Sequence, residues 1–459
     1  MRGFLTCSMG VTCAAALTLP PALLNVPSAA AAPADRATTT TARPATAAAL
    51  SGSTQSLPLT PRTRERVLGQ APEQGAYRTD VRHFSLVGVS WDDPGAELHG
   101  QVQVRTRAAA TGLWSGWQDV DTHNADHGAD PDTAEASSGR VHGATAPLWV
   151  GDSDGVDVRV RTAAGDDSDR RGLGPGPGVG RDLLPAGLRL ELVDPGDEAP
   201  SEGPPADRPR TDTEADPAAA VNAGLVSFAA TEIPALSRED TERELRELGD
   251  AGAPLAKPYI GPRPRIVTRR GWGADESLRE KGFVYTGKIK AAFVHHTDSG
   301  NGYRCSEAPS VIRSIYRYHV VTMGWRDIGY NFLVDKCGTL YEGRAGGAAK
   351  AVRGAHTLGF NNNSMGIAVI GTFASHKPPV AAVTGVAKLT AWKLGLFGAN
   401  PKGKTYLKSG GGNLYPKGKN VRLNVISGHR DGYATECPGA KLYAKLGSAR
   451  TSSAHLQGR

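Results

Sequence analysis

The chain has 459 residues and a formal net charge of +7, and many of its 57 glycines and 31 prolines fall in particular stretches. This length exceeds one ordinary core, so we expect two folded domains joined by linkers. The positive charge fits nucleic acid, a membrane surface or an anionic cell wall. The lysines and arginines are scattered and no nucleic-acid-reading motif occurs, so we expect no nucleic-acid partner.

Residues 1–32 have the pattern of an export signal peptide. Arg2 gives a positive start, residues 10–24 are mostly apolar, and the small residues of 28–32 offer cleavage sites. No later stretch approaches a membrane-spanning length, so we expect no transmembrane segment. The sequence therefore predicts a secreted, extracellular protein, and we expect a monomer.

Export changes the cysteine count. Removal of the signal takes away Cys7 and Cys13 and leaves Cys305, Cys337 and Cys437. An oxidising compartment favours pairing, but three is an odd number, so one thiol needs another explanation.

The first half of the chain predicts a β-rich domain between two linkers. Residues 33–80 are rich in Ala, Thr, Pro and Ser and predict a disordered linker. Over residues 81–196, apolar and polar residues alternate in short runs, which predicts an all-β, sandwich-like domain. Inside it, Asp121 to Ser138 is predicted to be a polar loop rich in Asp, His and Ala. Residues 197–258 predict a second linker with one short helix from Ser237 to Leu248.

Residues 259–447 change to a mixed α/β pattern, and residues 448–459 are predicted to be a tail. Apolar strands are predicted at residues 291–295, 330–334 and 366–370, and helices at 310–320 and 382–394. Alternating strands and helices predict a sheet covered by helices. The Gly- and Lys-rich stretch 402–419 is expected to be an exposed loop.

The same region contains candidate metal ligands. A catalytic zinc needs three protein ligands and an open position for water or substrate. His295, His429 and Cys437 would supply two imidazoles and one thiolate, and coordination would explain the odd cysteine. His295 and His296 are neighbours on a strand and point to opposite faces, so we do not expect both to be ligands.

Ordered motifs across residues 259–447 identify a family. They are Arg270-Gly271-Trp272-Gly273-Ala274, Val294-His295-His296-Thr297, Tyr318-His319-Val320, Gly324 to Phe332, Tyr341-Glu342-Gly343-Arg344, Gly354-Ala355-His356, Ser364-Met365-Gly366-Ile367, Gly428-His429-Arg430-Asp431 and Cys437-Pro438-Gly439. Together they resemble the peptidoglycan recognition protein domain, which is related to N-acetylmuramoyl-L-alanine amidases. The resemblance implies a central mixed β-sheet covered by helices, a peptidoglycan stem peptide as partner and, with it, an association with the cell wall.

The resemblance also implies roles for individual residues. His295, His429 and Cys437 match the ligands of a Zn²⁺ ion, and Tyr330 and Thr435 match catalytic positions. The substrate-binding positions are His319, Gly324, Trp325, Arg353, His356 and Asn361. The Gly324-Trp325 pair matches the version associated with diaminopimelate-type peptides. No His-Glu-x-x-His motif is present, and a general base stays unassigned.

Two alternatives to hydrolysis stay open at this stage. Members of the family that lost the cysteine bind peptidoglycan without cutting it, and a vestigial domain would serve a structural protein. The presence of Cys437 favours a zinc-dependent amidase that cuts between N-acetylmuramic acid and L-alanine. The residues from Ala144 to Gly155 resemble the β-rich segment that precedes such domains in some secreted actinobacterial proteins. Cys305 and Cys337 are candidates for a bridge.

Overall fold

The computed structural model of the protein describes residues 52–62, 73–162, 184–196, 217–228, 230–248 and 258–459. The predicted export signal at residues 1–32 lies outside the described residues. Within these ranges, no helix combines the length and apolarity needed to cross a membrane.

The N-terminal domain is an antiparallel sheet, which confirms the all-β prediction. Its strands are β1 (Ser53–Pro58), β2 (Thr60–Pro61), β3 (Glu73–Arg78), β4 (Phe84–Trp91), β5 (Gly100–Ala108), β6 (Gln118–Val120), β7 (Gly143–Ala144), β8 (Leu148–Thr162) and β9 (Arg189–Asp194). The long strand β8 pairs with β3, β4 and β5. Val156, Val158 and Val160 alternate along β8 and are fully buried, because every second residue of a strand faces the core.

This domain begins earlier than the predicted boundary at residue 81. Strand β1 pairs with β9 over six residues, and β3 pairs with β8. Residues 53–58 and 73–78, assigned to a disordered linker, are therefore part of the sheet. The reason is that their backbone groups pair with strands that would otherwise be exposed at an edge, and such pairing needs few apolar side chains.

The C-terminal domain has a mixed sheet with helices on both faces. Its strands are β10 (Glu232–Ile233), β11 (Ile266–Val267), β12 (Ala291–His296), β13 (Phe332–Val334), β14 (Leu340–Glu342), β15 (Ser364–Val369) and β18 (Ile426–Gly428). A separate hairpin is formed by β16 (Lys404–Lys408) and β17 (Asn420–Asn424). Its helices are α1 (Pro217–Ala220), α2 (Arg238–Leu248), α3 (Arg269–Trp272), α4 (Ala308–Arg317), α5 (Val380–Gly395), α6 (Ala440–Tyr443) and α7 (Leu446–Leu456). Strand β12 lies between β15 and β18, parallel to both, and all six of its residues are buried. Such a continuous apolar run is typical of a central parallel strand.

The two domains share a hydrophobic core around α4. Leu86 and Val193 of the N-terminal sheet pack in one cluster with Ile312 and Ile315 of the helix. A π-helical turn, Tyr318–Thr322, continues α4, and the Tyr318 hydroxyl donates a hydrogen bond to the Thr145 carbonyl at 3.1 Å. The N-terminal domain is thus packed against the C-terminal domain rather than tethered beside it.

Three further predictions need correction. Part of the predicted linker at residues 197–258 is folded into the C-terminal domain. Strand β10 pairs with β11, and the Asn222 side-chain amide donates to the Glu342 carboxylate at 2.9 and 3.0 Å. The predicted tail forms most of α7, and the Gln457 amide donates to the Ala391 carbonyl of α5 at 3.0 Å. The stretch 402–419 contains β16, which pairs with β17, so only its middle is a loop. Each segment folds because it covers an apolar face or completes a ladder of backbone hydrogen bonds.

The helices predicted at residues 237–248, 310–320 and 382–394 are confirmed by α2, by α4 with its continuation, and by α5. Cys305 and Cys337 form a disulfide with a Cα–Cα distance of 6.2 Å. The bridge joins the turn that precedes α4 to the turn between β13 and β14.

Candidate metal centre

The site lies where two parallel strands end side by side. His295 is near the carboxyl end of β12, and His429 follows directly after β18, which pairs with β12. In open α/β sheets, functional side chains gather outside the carboxyl ends of the strands. Cys437 lies in the loop after His429, where its N–H donates to the Thr435 hydroxyl at 3.1 Å and its carbonyl accepts from the Arg430 N–H at 3.1 Å.

Four donor side chains converge at this point. One ligand atom from each of His127, His295, His429 and Cys437 lies within 4.8 Å of the others. The Cys437 Sγ and the His295 Nδ1 are 3.7 Å apart. Three of these side chains were predicted, and the fourth, His127, comes from the polar loop of the N-terminal domain. His296 points away from the cluster, and its Nδ1 accepts from the Phe373 N–H at 3.3 Å.

The second nitrogen of each imidazole has a contact that orients the ring. His295 Nε2 is 3.4 Å from the Thr357 hydroxyl, and His429 Nε2 is 3.2 Å from the Asp126 carbonyl oxygen. His127 Nδ1 is 2.9 Å from the Asp126 carboxylate. Such outer contacts hold metal-ligating imidazoles in one orientation.

The electrostatics of the cluster favour a bound cation. Burial lowers the pKa of His295 well below its ordinary value, and neighbouring His429 lowers it further. Burial also lowers the pKa of His429, to about 3, so both rings are neutral ligands at pH 7. Burial raises the pKa of the Cys437 thiol well above its usual value, so a thiolate there requires a positive charge beside it.

The donor set fits a zinc ion. Zinc lies about 2.0–2.1 Å from imidazole nitrogen and about 2.3 Å from thiolate sulfur, so a single ion would need little inward movement of these four atoms. Two buried nitrogens, His127 Nε2 and His429 Nδ1, have no hydrogen-bond partner among the described residues. An ion between them would satisfy both.

The predicted catalytic residues lie beside the cluster. The Tyr330 ring is 5.5 Å from the His295 ring and is 5% exposed. Burial raises the pKa of its phenol well above 10, so the hydroxyl stays protonated and can donate. The Thr435 hydroxyl accepts from the Cys437 N–H and supports the ligand loop.

The predicted substrate-binding residues fall into two groups. The rings of His319 and Trp325 are in contact, with centroids 4.5 Å apart and planes tilted by 38°, and the Gly329 N–H donates to the His319 Nδ1 at 3.2 Å. Gly324 has φ +71°, and a Cβ there would lie 1.9 Å from the Arg140 carbonyl oxygen. This group therefore contacts the N-terminal domain directly.

The second group lies across the site. The His356 ring is buried, 5.2 Å from the His295 ring. The side-chain oxygen Oδ1 of Asn361 accepts from the N–H groups of His356 and Thr357 at 2.7 and 3.1 Å. Arg353 is partly buried and its N–H donates to the Val284 carbonyl at 2.9 Å.

Sequence reasoning missed His127, Asp126 and Glu135, all in the polar loop. Glu135 forms two hydrogen bonds with the guanidinium of Arg344, at 2.8 and 2.9 Å. The only signal was the concentration of Asp and His in that loop, which predicts no specific partner.

These features define a two-domain protein whose mixed α/β domain holds a buried His- and Cys-lined site suited to a metal ion. Residues 285–440 match the family described as N-acetylmuramoyl-L-alanine amidase, and residues 31–179 match the domain described as Rv3811 N-terminal galactose-binding domain-like. Peptidoglycan-recognition protein 1 of Holotrichia diomphalia is 30% identical over 187 residues, which are 40% of this chain and 79% of that protein. Peptidoglycan-recognition protein SC2 of Drosophila simulans is 28% identical over 183 residues, 39% of this chain and 84% of that protein. The structure of wild-type Drosophila PGRP-LB is 27% identical, with a TM-score of 0.31, and the match covers 40% of this chain and 92% of that one.

The chain belongs to the peptidoglycan-recognition protein family, with an additional N-terminal β domain.

Proposed function

We propose that the protein is a secreted, zinc-dependent N-acetylmuramoyl-L-alanine amidase. It hydrolyses the amide bond between N-acetylmuramic acid and the L-alanine of the stem peptide in peptidoglycan of the diaminopimelate type. The observation that carries the proposal is the convergence of His295, His429 and Cys437 at the carboxyl ends of β12 and β18. The family match over residues 285–440 supports the same reaction.

The three residues would hold a zinc ion through His295 Nδ1, His429 Nδ1 and Cys437 Sγ. The ion supplies Lewis acidity, which polarises an amide carbonyl and activates water. The protein keeps both imidazoles neutral by burial and orients them through Thr357 and Asp126.

Tyr330 would assist the reaction as a hydrogen-bond donor. Its phenol is protonated at neutral pH and lies beside His295, where negative charge develops on the carbonyl oxygen. A donor fixed at such a position stabilises the transition state more than the ground state. Thr435 positions Cys437 through the hydrogen bond to its N–H.

A second candidate function is a non-catalytic recognition protein with a structural metal. One observation favours it: His127 gives the site a fourth protein ligand, and closed four-ligand sites are characteristic of structural zinc. The groove residues that recognition would need are also in contact with the N-terminal domain, as at Gly324 and Asn361. A permanently closed form would therefore not present that groove to peptidoglycan.

The test compares the full chain with the variants Cys437→Ser and His127→Ala. Zinc content is measured by mass spectrometry, and released peptides are analysed after incubation with diaminopimelate-type or lysine-type peptidoglycan. We expect Cys437→Ser to lose zinc and to release no peptide, since the thiolate ligand is gone. His123→Ala is the matched control, because His123 is an exposed histidine of the same loop as His127.

Chelator-sensitive, zinc-restored release of stem peptides with a free N-terminal alanine supports the amidase. If His127→Ala is loaded with zinc and binds peptidoglycan but releases no peptide, the recognition function replaces it. Preferential cleavage of lysine-type peptidoglycan would refute the proposed substrate type.

A further inference from the structure

One loop of the N-terminal domain lies in the candidate site of the C-terminal domain. We call residues Asp121 to Ser138 the inserted segment. It leaves the β sheet after β6 and has no helix or strand over its length. The segment brings His127 into the donor cluster and follows the groove that contains Trp325 and Asn361.

His127 is placed as a ligand and not as a surface residue. Its side chain is 9% exposed, and its ring lies 4.7 Å from the His429 ring and 5.4 Å from the His295 ring. The Asp126 carboxylate fixes its Nδ1, and no described residue hydrogen-bonds to its buried Nε2. Nε2 therefore faces the same point as the other three donors.

The next part of the segment hydrogen-bonds to Asn361, one of the residues predicted to bind the peptide. The Asn361 amide donates to the Gly128 carbonyl and to the Asp130 carboxylate, both at 2.8 Å. The Asp130 carboxylate also accepts from the Gly359 N–H at 2.8 Å. A stem peptide in this groove would compete for the same Asn361 amide.

Farther along, Glu135 pairs with Arg344. Their side chains are 6% and 5% exposed, and the pair is bidentate. A carboxylate held by a buried arginine in a groove is the arrangement expected of a bound acidic group. The segment thus places backbone carbonyls and carboxylates where a substrate would place its own.

We propose that His127 is the fourth ligand of the metal and that the inserted segment holds the enzyme in a latent state. This inference rests on the proposed amidase function. With His127 bound, the ion has four protein ligands and no position for water or for the scissile carbonyl, while the segment fills the groove. Activity requires the segment to leave the metal and the groove at the same time.

The surroundings of the segment allow it to leave without unfolding either domain. A cavity of about 920 Å³ lies along it, lined also by Trp91, Glu97 and His99 of the N-terminal domain and by Tyr433. The domain contact at α4, through Leu86 and Tyr318, meets the segment near its start, where the Asn124 side-chain amide donates to the same Thr145 carbonyl at 3.3 Å. The part of the segment from Ala125 to Ser138, which includes His127 and Glu135, can therefore withdraw while Asn124, the sheets and the shared core stay in place.

The test uses full-length protein loaded with Co²⁺ in place of zinc, because the cobalt absorption spectrum reports coordination. In the wild type, four protein ligands give a spectrum that does not change between about pH 6 and 9, since no bound water titrates near pH 7. In His127→Ala the fourth position opens to water, so the spectrum becomes pH-dependent. We also expect the metal to bind at least about tenfold more weakly. His123→Ala should behave as the wild type.

Activity and groove binding are measured on the same proteins. If the closed form makes up about 99% of wild-type molecules, opening raises the initial rate of peptide release up to about 100-fold. A wild-type spectrum that titrates like that of His127→Ala, with equal activity in both, would overturn the inference. An altered spectrum and a gain in muropeptide binding in His127→Ala, without hydrolysis, would support the inhibitory ligand and refute the amidase function.

A second experiment avoids any risk that His127→Ala misfolds. A specific protease site is inserted at Gly139, which is exposed and has no atom within 4 Å of a Cβ built there. The protein folds intact and is cut afterwards, which frees one end of the segment while His127 is unchanged. Appearance of the pH-dependent cobalt spectrum after cutting supports the proposal, and a cut protein whose spectrum stays constant contradicts it.

Discussion

The ion pair between Glu135 and Arg344 should control how firmly the inserted segment is closed. The pair is bidentate, with distances of 2.8 and 2.9 Å, and both side chains are almost fully buried. Burial opposes ionisation of Glu135, but Arg344 outweighs it and lowers the pKa of the carboxyl. The substitution Glu135→Ala would leave the Arg344 charge buried and without its carboxylate in the closed state.

The size of the effect follows from that burial. Removing one partner of a buried ion pair costs about 3–5 kcal/mol. In the open state the pair is already separated, so the whole cost falls on the closed state. At about 1.4 kcal/mol for each factor of ten, the ratio of closed to open molecules should fall by roughly two to four powers of ten.

The assay is the rate at which a protease cuts the segment in the native protein, together with muropeptide affinity. Both rise in proportion to the open fraction when opening is fast. Asp132→Ala is the matched control, because Asp132 lies in the same segment and forms a pair with Lys417 at 2.6 Å that is about two-thirds exposed on both sides. Such a surface pair contributes at most about 1 kcal/mol, so we expect less than roughly a tenfold change.

The reasoning fails if Glu135→Ala and Asp132→Ala change cutting and affinity equally. It also fails if the change in Glu135→Ala is matched by an equal loss in the free energy of global unfolding, measured with urea. That result would mean that the ion pair stabilises the whole fold and not one of two states of the segment.

Two other predictions concern residues outside the segment. The first is Tyr330→Phe, made in the opened His127→Ala protein. It should lower kcat by about 10²-fold and leave zinc content and KM unchanged, because only a transition-state donor is removed. An unchanged kcat would exclude Tyr330 from the reaction. The second concerns Lys393, whose pKa burial lowers to about 7, far below its value in the unfolded chain. Between pH 7 and 10.5 the unfolded chain therefore binds more protons than the folded protein. The free energy of unfolding should rise with pH across that window. Urea unfolding should show an increase of about 2 kcal/mol from pH 7 to 9, and the variant Lys393→Met should lack it.

The sequence predicted those parts of the fold that depend on local pattern. Strand β12 is a continuous buried run and α5 is a long apolar helix, so composition alone favours both. Strands β1 and β3 were missed because most of their residues are polar or small and their stability comes from backbone pairing with β9 and β8. Helix α7 was missed because its small and polar residues become buried through tertiary contacts with α5 and β18.

The sequence likewise predicted one part of the candidate site and missed another. His295, His429 and Cys437 lie in motifs that the family pattern identifies, and the structure brings all three together. His127 lies in the other domain, and no spacing in the chain relates it to them. Its position depends on how the N-terminal sheet packs against α4, so it is determined by tertiary structure and not by local sequence.

Asp126 contacts two of the proposed metal ligands, so departure of the inserted segment affects both of them. Its carboxylate orients His127, and its backbone carbonyl is the contact of His429 Nε2. Departure of the segment therefore removes one ligand and also the outer partner of another. Since such partners raise the basicity of a metal-bound imidazole, His429 in the open enzyme must bond to water or to the substrate instead. The open site would consequently be a weaker metal site than the closed one, so in the proposed latent state the segment would both block the site and help to retain the metal.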